Sequence, residues 1–154
     1  MSVVVTDTGF SSETFHGETV TLDTIADHSG AALCLDLAQT ADVAQVMPYL
    51  GRIALIRVAF PAFSDGRGFT VARRLRLLGY SGELRAAGYV IADQYTMARR
   101  AGFDAVEISD ELAARQPADQ WQFRADWQAH DYQARLRGRK TNAAPQAMPS
   151  IAAE

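Results

Sequence analysis

Two short stretches place charged side chains beside glycine where the chain must turn. The first is Asp65-Gly66-Arg67-Gly68, within FPAFSDGRGF at 60–69. Its glycines let the backbone approach a ligand, and a helix starting just beyond would offer free N–H groups to an anion. Arg67 would add a full positive charge in the planar fork that suits phosphate, sulfate or carboxylate. The same residues also read as an ordinary turn in which Asp65 satisfies backbone donors. The second stretch is GELRAAGYVIADQ at 82–94, with Arg85 inside a strand, Gly88 at its end, and Asp93 and Gln94 in the first turn of the next helix. An aspartate there is favoured by the helix dipole whatever the function. Arg85 is harder to dismiss, because parallel sheets are usually covered on both faces and a buried guanidinium needs a partner. Glu83, Asp93 or a bound anion would serve, and Arg57 in the preceding strand poses the same question. Asp36, near the end of an earlier strand, is a third candidate for the same rim.

Much chemistry is excluded. Cys34 is the one cysteine, so there is no internal disulfide, no CxxC redox pair and no set of thiolates for an iron–sulfur cluster. His16, His28 and His130 lie far apart without HExxH spacing, which gives no support for zinc. DGRG is neither the dinucleotide GxGxxG nor the phosphate loop GxxxxGK[ST]. No triad or catalytic carboxylate pair is set up by spacing, and no cofactor is specified. General-base chemistry by Asp65 or Asp93, in a small lyase or isomerase acting on an anionic substrate, stays open on residue type alone.

The elements that would position these residues alternate. AALCLDL (31–37), IALIRVAF (53–60), GELRAAG (82–88) and DAVEIS (104–109) read as strands. Between them, ADVAQVMPYL (41–50), TVARRLRLLG (70–79) and VIADQYTMARRAG (90–102) read as helices. Thr70 is the expected N-cap of the second, and Gly79 and Gly102 mark C-termini. SDELAARQ (109–116) is expected to be helical, and the stretch 121–137 leans to helix on its Ala, Gln and Arg content. The pieces VVVT (3–6) and ETVTL (18–22) suggest an irregular β segment, with a hairpin as one form. Short links between alternating strands and helices imply right-handed βαβ units. The predicted fold is therefore α/β: an open, mostly parallel sheet of consecutive βα units, with a short N-terminal β segment. Residues 1–137 form the expected single domain, and 138–154, poor in apolar residues, a disordered tail. Ligands of such sheets bind at the carboxyl ends of the strands, so Asp65, Gly66, Arg67, Gly68, Arg85, Gly88, Asp93 and Gln94 form the candidate ligand-binding set.

Charge is segregated along the 154 residues. Residues 1–51 carry seven acids and no Lys or Arg, whereas 52–100 carry nine arginines against Asp65, Glu83 and Asp93. The arginines read either as solvated helix faces or as a small-anion site. A nucleic-acid partner is not expected, since the net charge is −3 and few aromatics interleave with the arginines. No apolar run approaches the ~20 residues of a membrane span, and MSVVVTDTGF lacks the flank of a secretion signal, so a cytoplasmic location is expected. A buried, inert thiol is the expected state of Cys34.

The pieces FPAFSDGRG (60–68), GYSGELRAAG (79–88), Val90 with Asp93-Gln94, and RRAGFDAVEI (99–108) together resemble a bacterial family of unknown function that carries the label of an oxidoreductase of sulfite reduction. Phe69 stands where a tyrosine is usual, and Val106 where an aromatic is. The resemblance implies a role in assimilatory sulfite reduction during cysteine biosynthesis, as an accessory or oxidoreductase component. The implied partners are sulfite reductase or another sulfate-assimilation enzyme and a small sulfur oxyanion. It carries over no catalytic residue. A non-catalytic partner-binding module is the alternative expectation.

Overall fold

The β-branched run Ile53–Phe60 forms β5, flanked in register by β4 (Leu33–Leu37) and β6 (Glu83–Gly88), both parallel to it. β7 (Ala105–Ser109) adds to β6, again parallel. These are the four strands expected from the sequence. The computed structural model describes residues 2–125 apart from 13, 14, 16 and 29. Its sheet has seven strands in the order β2 (Gly9–Ser11), β1 (Ser2–Thr6), β7, β6, β5, β4 and β3 (Thr19–Thr21).

The N-terminal segment contributes to both edges. β1 (Ser2–Thr6) runs antiparallel to β7, and β2 (Gly9–Ser11) folds back on β1 through a tight turn at Asp7-Thr8. Gly9, at φ +119°, takes the left-handed backbone that this turn demands. β3 (Thr19–Thr21) lies at the opposite edge, parallel to β4. The pieces 3–6 and 18–22 therefore do not pair with each other. The hairpin is closed by 9–11 instead.

α1 (Arg67–Leu77) follows β5. It starts three residues before the expected cap at Thr70, because the Asp65 carboxylate already accepts from the Arg67 amide at 3.1 Å and fills one of the orphan donors of the first turn. It ends as predicted at Gly79 (φ +99°), with Tyr80 N–H donating to the Leu75 carbonyl and Gly79 N–H to that of Arg76. α2 (Tyr95–Ala101) ends in the same way at Gly102. α3 (Asp110–Arg115) is capped by the Ser109 hydroxyl, which accepts from Leu112 N–H. The expected helix at 41–50 is replaced by two 3-10 segments, 43–45 and 47–52. Pro48 has no N–H to bond back to Ala44, and its ring would clash with that carbonyl in an α-helix. Of the stretch 121–137, only the beginning is described. Trp121 lies in α4 (Ala118–Gln122), fully buried, its indole N–H donating to the Gln116 carbonyl. The segment expected to be disordered, 138–154, lies outside the described residues.

The main apolar cluster lies on the sheet face covered by these helices. Leu35, Ile56, Val58, Leu84, Val106 and Ile108 point into it, and Leu75, Tyr95, Phe103 and Trp121 pack over them. Strand alternation sends the other residues to the second face. There Val4, Cys34, Leu55, Arg85 and Ala105 are also buried, while the carboxyl-terminal ends of the strands open into a cavity.

Candidate functional site

Register across the second face aligns Asp36 (β4), Arg57 (β5) and Arg85 (β6) in one row. Glu107 (β7) pairs one step along, opposite Ala87. The side chains close on each other as a ladder. Arg57 grips Asp36 in a bidentate pair, Nε to Oδ1 at 2.7 Å and Nη2 to Oδ2 at 2.9 Å, and its Nη1 donates to Glu107 Oε2 at 3.2 Å. Arg85 donates to Glu107 Oε1 at 3.0 Å and to Glu83 Oε2 at 2.8 Å. Glu107, 13% exposed, thus bridges the two guanidiniums. Hydrogen bonding to Asp36 raises the Arg57 pKa further above its ordinary value, against the opposing effect of burial.

The upper end of the ladder borders a cavity of about 490 Å³, lined by Asp36, Arg57, Glu107, Ala59, Ala87 and Gly88. The small residues leave the space, and the charges line its wall. Gly88 is required by the backbone as well. At φ +124°, a Cβ there would stand 2.5 Å from the Phe60 carbonyl oxygen. Cys34 shares this face. Burial pushes its thiol up, and the partly opposing charge of Arg57 does not reverse that direction, so the buried thiol stays protonated at neutral pH.

The glycine-rich loop sits on the same rim but closes on itself. Both Asp65 oxygens accept from Arg67, Oδ1 from Nε at 3.0 Å and Oδ2 from Nη2 at 2.7 Å, and Gln39 Nε2 donates to Oδ2 at 3.2 Å. Arg67 holds the Asp65 carboxyl well below the usual carboxylate range. A Cβ at Gly66 would make only an ordinary contact, with the Phe69 ring at 3.8 Å, whereas Gly68 lies against the Phe60 ring, where a Cβ would approach to 2.5 Å. Gln94 ties two loops together: its Oε1 accepts from Ile91 N–H, and its Nε2 donates to the Phe63 carbonyl at 2.9 Å. Asp93 turns away from the ladder to an ion pair with Arg124 at 2.9 Å.

Of the candidate residues, the structure therefore gathers Arg85 and Gly88 on the second face with Asp36 and Arg57. It keeps Asp65, Gly66, Arg67 and Gly68 in the adjacent loop, and separates Asp93. Glu83 is the partner expected for Arg85, and Asp93 is not. The residue that sequence reasoning missed is Glu107. Its signal was present, an acid at an alternate position of DAVEIS, but nothing local says that it faces two arginines. Among the described residues, no group of three or more His, Cys, Asp or Glu is placed to hold a metal ion, and no helix is long and apolar enough to cross a membrane.

Fold and site define a mostly parallel α/β domain with an ion-paired strand-end cavity. The chain belongs to a family described as bacterial proteins of unknown function, DUF934, whose model matches residues 34–142 and so spans β4 through α4 and beyond. A comparison with curated proteins finds no match.

Proposed function

We propose that the protein is an accessory component of assimilatory sulfite reduction, acting by docking on the reductase. The link to sulfite reduction comes from the sequence resemblance. The preference for docking over chemistry is carried by one observation: the strand-end charges are engaged within the chain. Arg57 and Arg85 are gripped by Asp36, Glu107 and Glu83, and Asp65 by Arg67. A general base in this set would first have to give up a charged hydrogen bond, and an oxyanion would face three carboxylates against two guanidiniums.

A sulfur oxyanion at the rim is the second reading, favoured by Arg67. Its side chain is 61% exposed at the first turn of α1, where helix N–H groups and a guanidinium converge. Calorimetric titration with sulfite and with adenylated sulfate tests it. Binding lost in Arg67→Ala supports an oxyanion site, and no heat of binding removes it.

The docking reading is tested by a deletion strain supplied with sulfate, sulfite or sulfide as sole sulfur source. Growth on sulfide alone is expected, with sulfite-reducing activity of the extract restored by adding the purified protein. Unimpaired growth on all three sources overturns the proposal.

A further inference from the structure

We infer that the groove between α1 and α2 is a docking site for an acidic amphipathic helix of a partner protein. On α1, Gly68, Val71, Ala72 and Leu75 face the core, and the opposite side carries Thr70, Arg73, Arg74 and Leu77. On α2, Tyr95, Ala98 and Ala101 are buried, and Met97 points outward. Leu77 is 80% exposed and Met97 56% exposed, yet they are not scattered surface residues. Both line one cavity of about 710 Å³ between the helices, with Phe69 at its floor and Arg73 and Arg74 on its wall. A second cavity, of about 300 Å³, continues from it past Arg74 and Leu77 to Leu78 and Met47, which is 51% exposed. Clustered exposed apolar side chains rimmed by polar ones mark interaction surfaces, and an apolar trough along helices is the receptor half of helix-in-groove recognition.

Charge selects the occupant. Arg73 donates to the Arg100 carbonyl, and neither Arg73 nor Arg74 forms an ion pair among the described residues. Asp93, the acid on the wall of the larger cavity, is already paired with Arg124. Among the described residues, Arg73 and Arg74 therefore face the trough without a carboxylate partner, and Asp42 on the wall of the smaller cavity accepts from Ala44 N–H, in contrast to the closed ladder on the second face of the sheet. A helix with apolar residues at i, i+3, i+4 and i+7, flanked by Asp and Glu, matches both features. The basic segment 52–100 noted in the sequence thus displays part of its charge here, on the helix layer. That the partner is a reductase rests on the reading above; the groove and the chemistry of its ligand do not.

The test has two arms. In the first, purified full-length protein is titrated by fluorescence anisotropy with a labelled peptide of about 18 residues, long enough to be helical, bearing Leu at i, i+3, i+4 and i+7 and Glu elsewhere. A peptide with Lys in place of Glu is the control. The Glu peptide is expected to bind, with affinity falling about tenfold in Arg74→Glu and in Leu77→Ser, as for a central contact, and unchanged in Arg115→Glu, an exposed site elsewhere. Equal binding of both peptides, or no effect of the groove variants, overturns the assignment. So does preferential binding to phosphatidylserine vesicles, or a dimer of the protein that Leu77→Ser dissociates. In the second arm, the Arg74→Glu/Leu77→Ser variant is returned to the deletion strain. Peptide binding with unimpaired growth of the deletion strain before any complementation would sink the sulfite reading alone. A growth defect fully rescued by the variant would sink the groove alone.

Discussion

Removing the Glu107 carboxylate strikes the group on which Arg57 and Arg85 converge. In Glu107→Ala, Arg85 keeps the 2.8 Å contact to Glu83 and Arg57 keeps both bonds to Asp36, but each loses a charged acceptor. Breaking a buried pair by deleting one partner costs about 3–5 kcal/mol. Because each guanidinium here retains another carboxylate, and Arg57 is partly exposed, the expected loss is about 2–3 kcal/mol, or roughly 6–9 °C in Tm for a domain of this size. Asp36→Ala, at a carboxylate that is 41% exposed, should cost about 0.5–1 kcal/mol. The double variant Arg85→Met/Glu107→Leu should return to within about 1 kcal/mol of the parent, since a buried pair replaced by apolar groups leaves no orphaned charge. Urea unfolding followed by far-ultraviolet circular dichroism measures each value. A loss below about 0.5 kcal/mol in Glu107→Ala, or strict additivity of the two sites in a double-mutant cycle, would refute the ladder as a coupled unit.

Three further outcomes follow from the geometry. Gly88→Ala should cost about 2–4 kcal/mol through its positive φ and the Phe60 carbonyl, and Gly68→Ala about 1–3 kcal/mol through the Phe60 ring. Gly66→Ala should fall within about 0.5 kcal/mol, and thermal melts of the three variants separate local geometry from mere glycine content. Cys34, 1% exposed, should not react with a disulfide reagent at neutral pH until urea unfolds the chain. Rapid native labelling would refute its burial. Burial, with Asp7 accepting from its hydroxyl at 2.5 Å, raises the Tyr95 pKa, and burial raises that of Tyr80. A phenol raised above its unfolded value of about 10 contributes stability that is complete below that pH and lost as pH climbs past it. The Tm should therefore fall steeply above about pH 10, and less steeply in Tyr95→Phe; identical alkaline profiles would contradict the assignment.

Periodicity and punctuation are local properties, and they made most of the architecture legible. The β-branched run 53–60 became β5 residue for residue, Gly79 and Gly102 closed their helices, and the helix expected at 109–116 formed as α3. Two departures from the local pattern have specific local causes. Pro48 broke the helical pattern at 41–50 into 3-10 turns, and the Asp65 side chain started α1 ahead of Thr70. The N-terminal pieces were seen as β structure, but their partners were not, because strand pairing depends on which edges the rest of the sheet leaves open.

The candidate site divides in the same way. The sequence alone determined that Arg57 and Arg85 lie within strands and require partners, and that glycine turns lead into the following helix. Only the tertiary structure decided who those partners are. Glu107 reaches Arg57 across 50 positions of chain, a distance in sequence that no local pattern spans. Its place is fixed by the parallel register of β5, β6 and β7, set in turn by burying Val58, Leu84 and Val106 on the opposite face. The same packing decided where the arginine-rich segment shows its charge. Two guanidiniums turn inward to carboxylates on the second face of the sheet, and Arg73 and Arg74 turn outward beside Leu77, because a helix that buries Val71, Ala72 and Leu75 on one face turns Arg73 and Arg74 to the other.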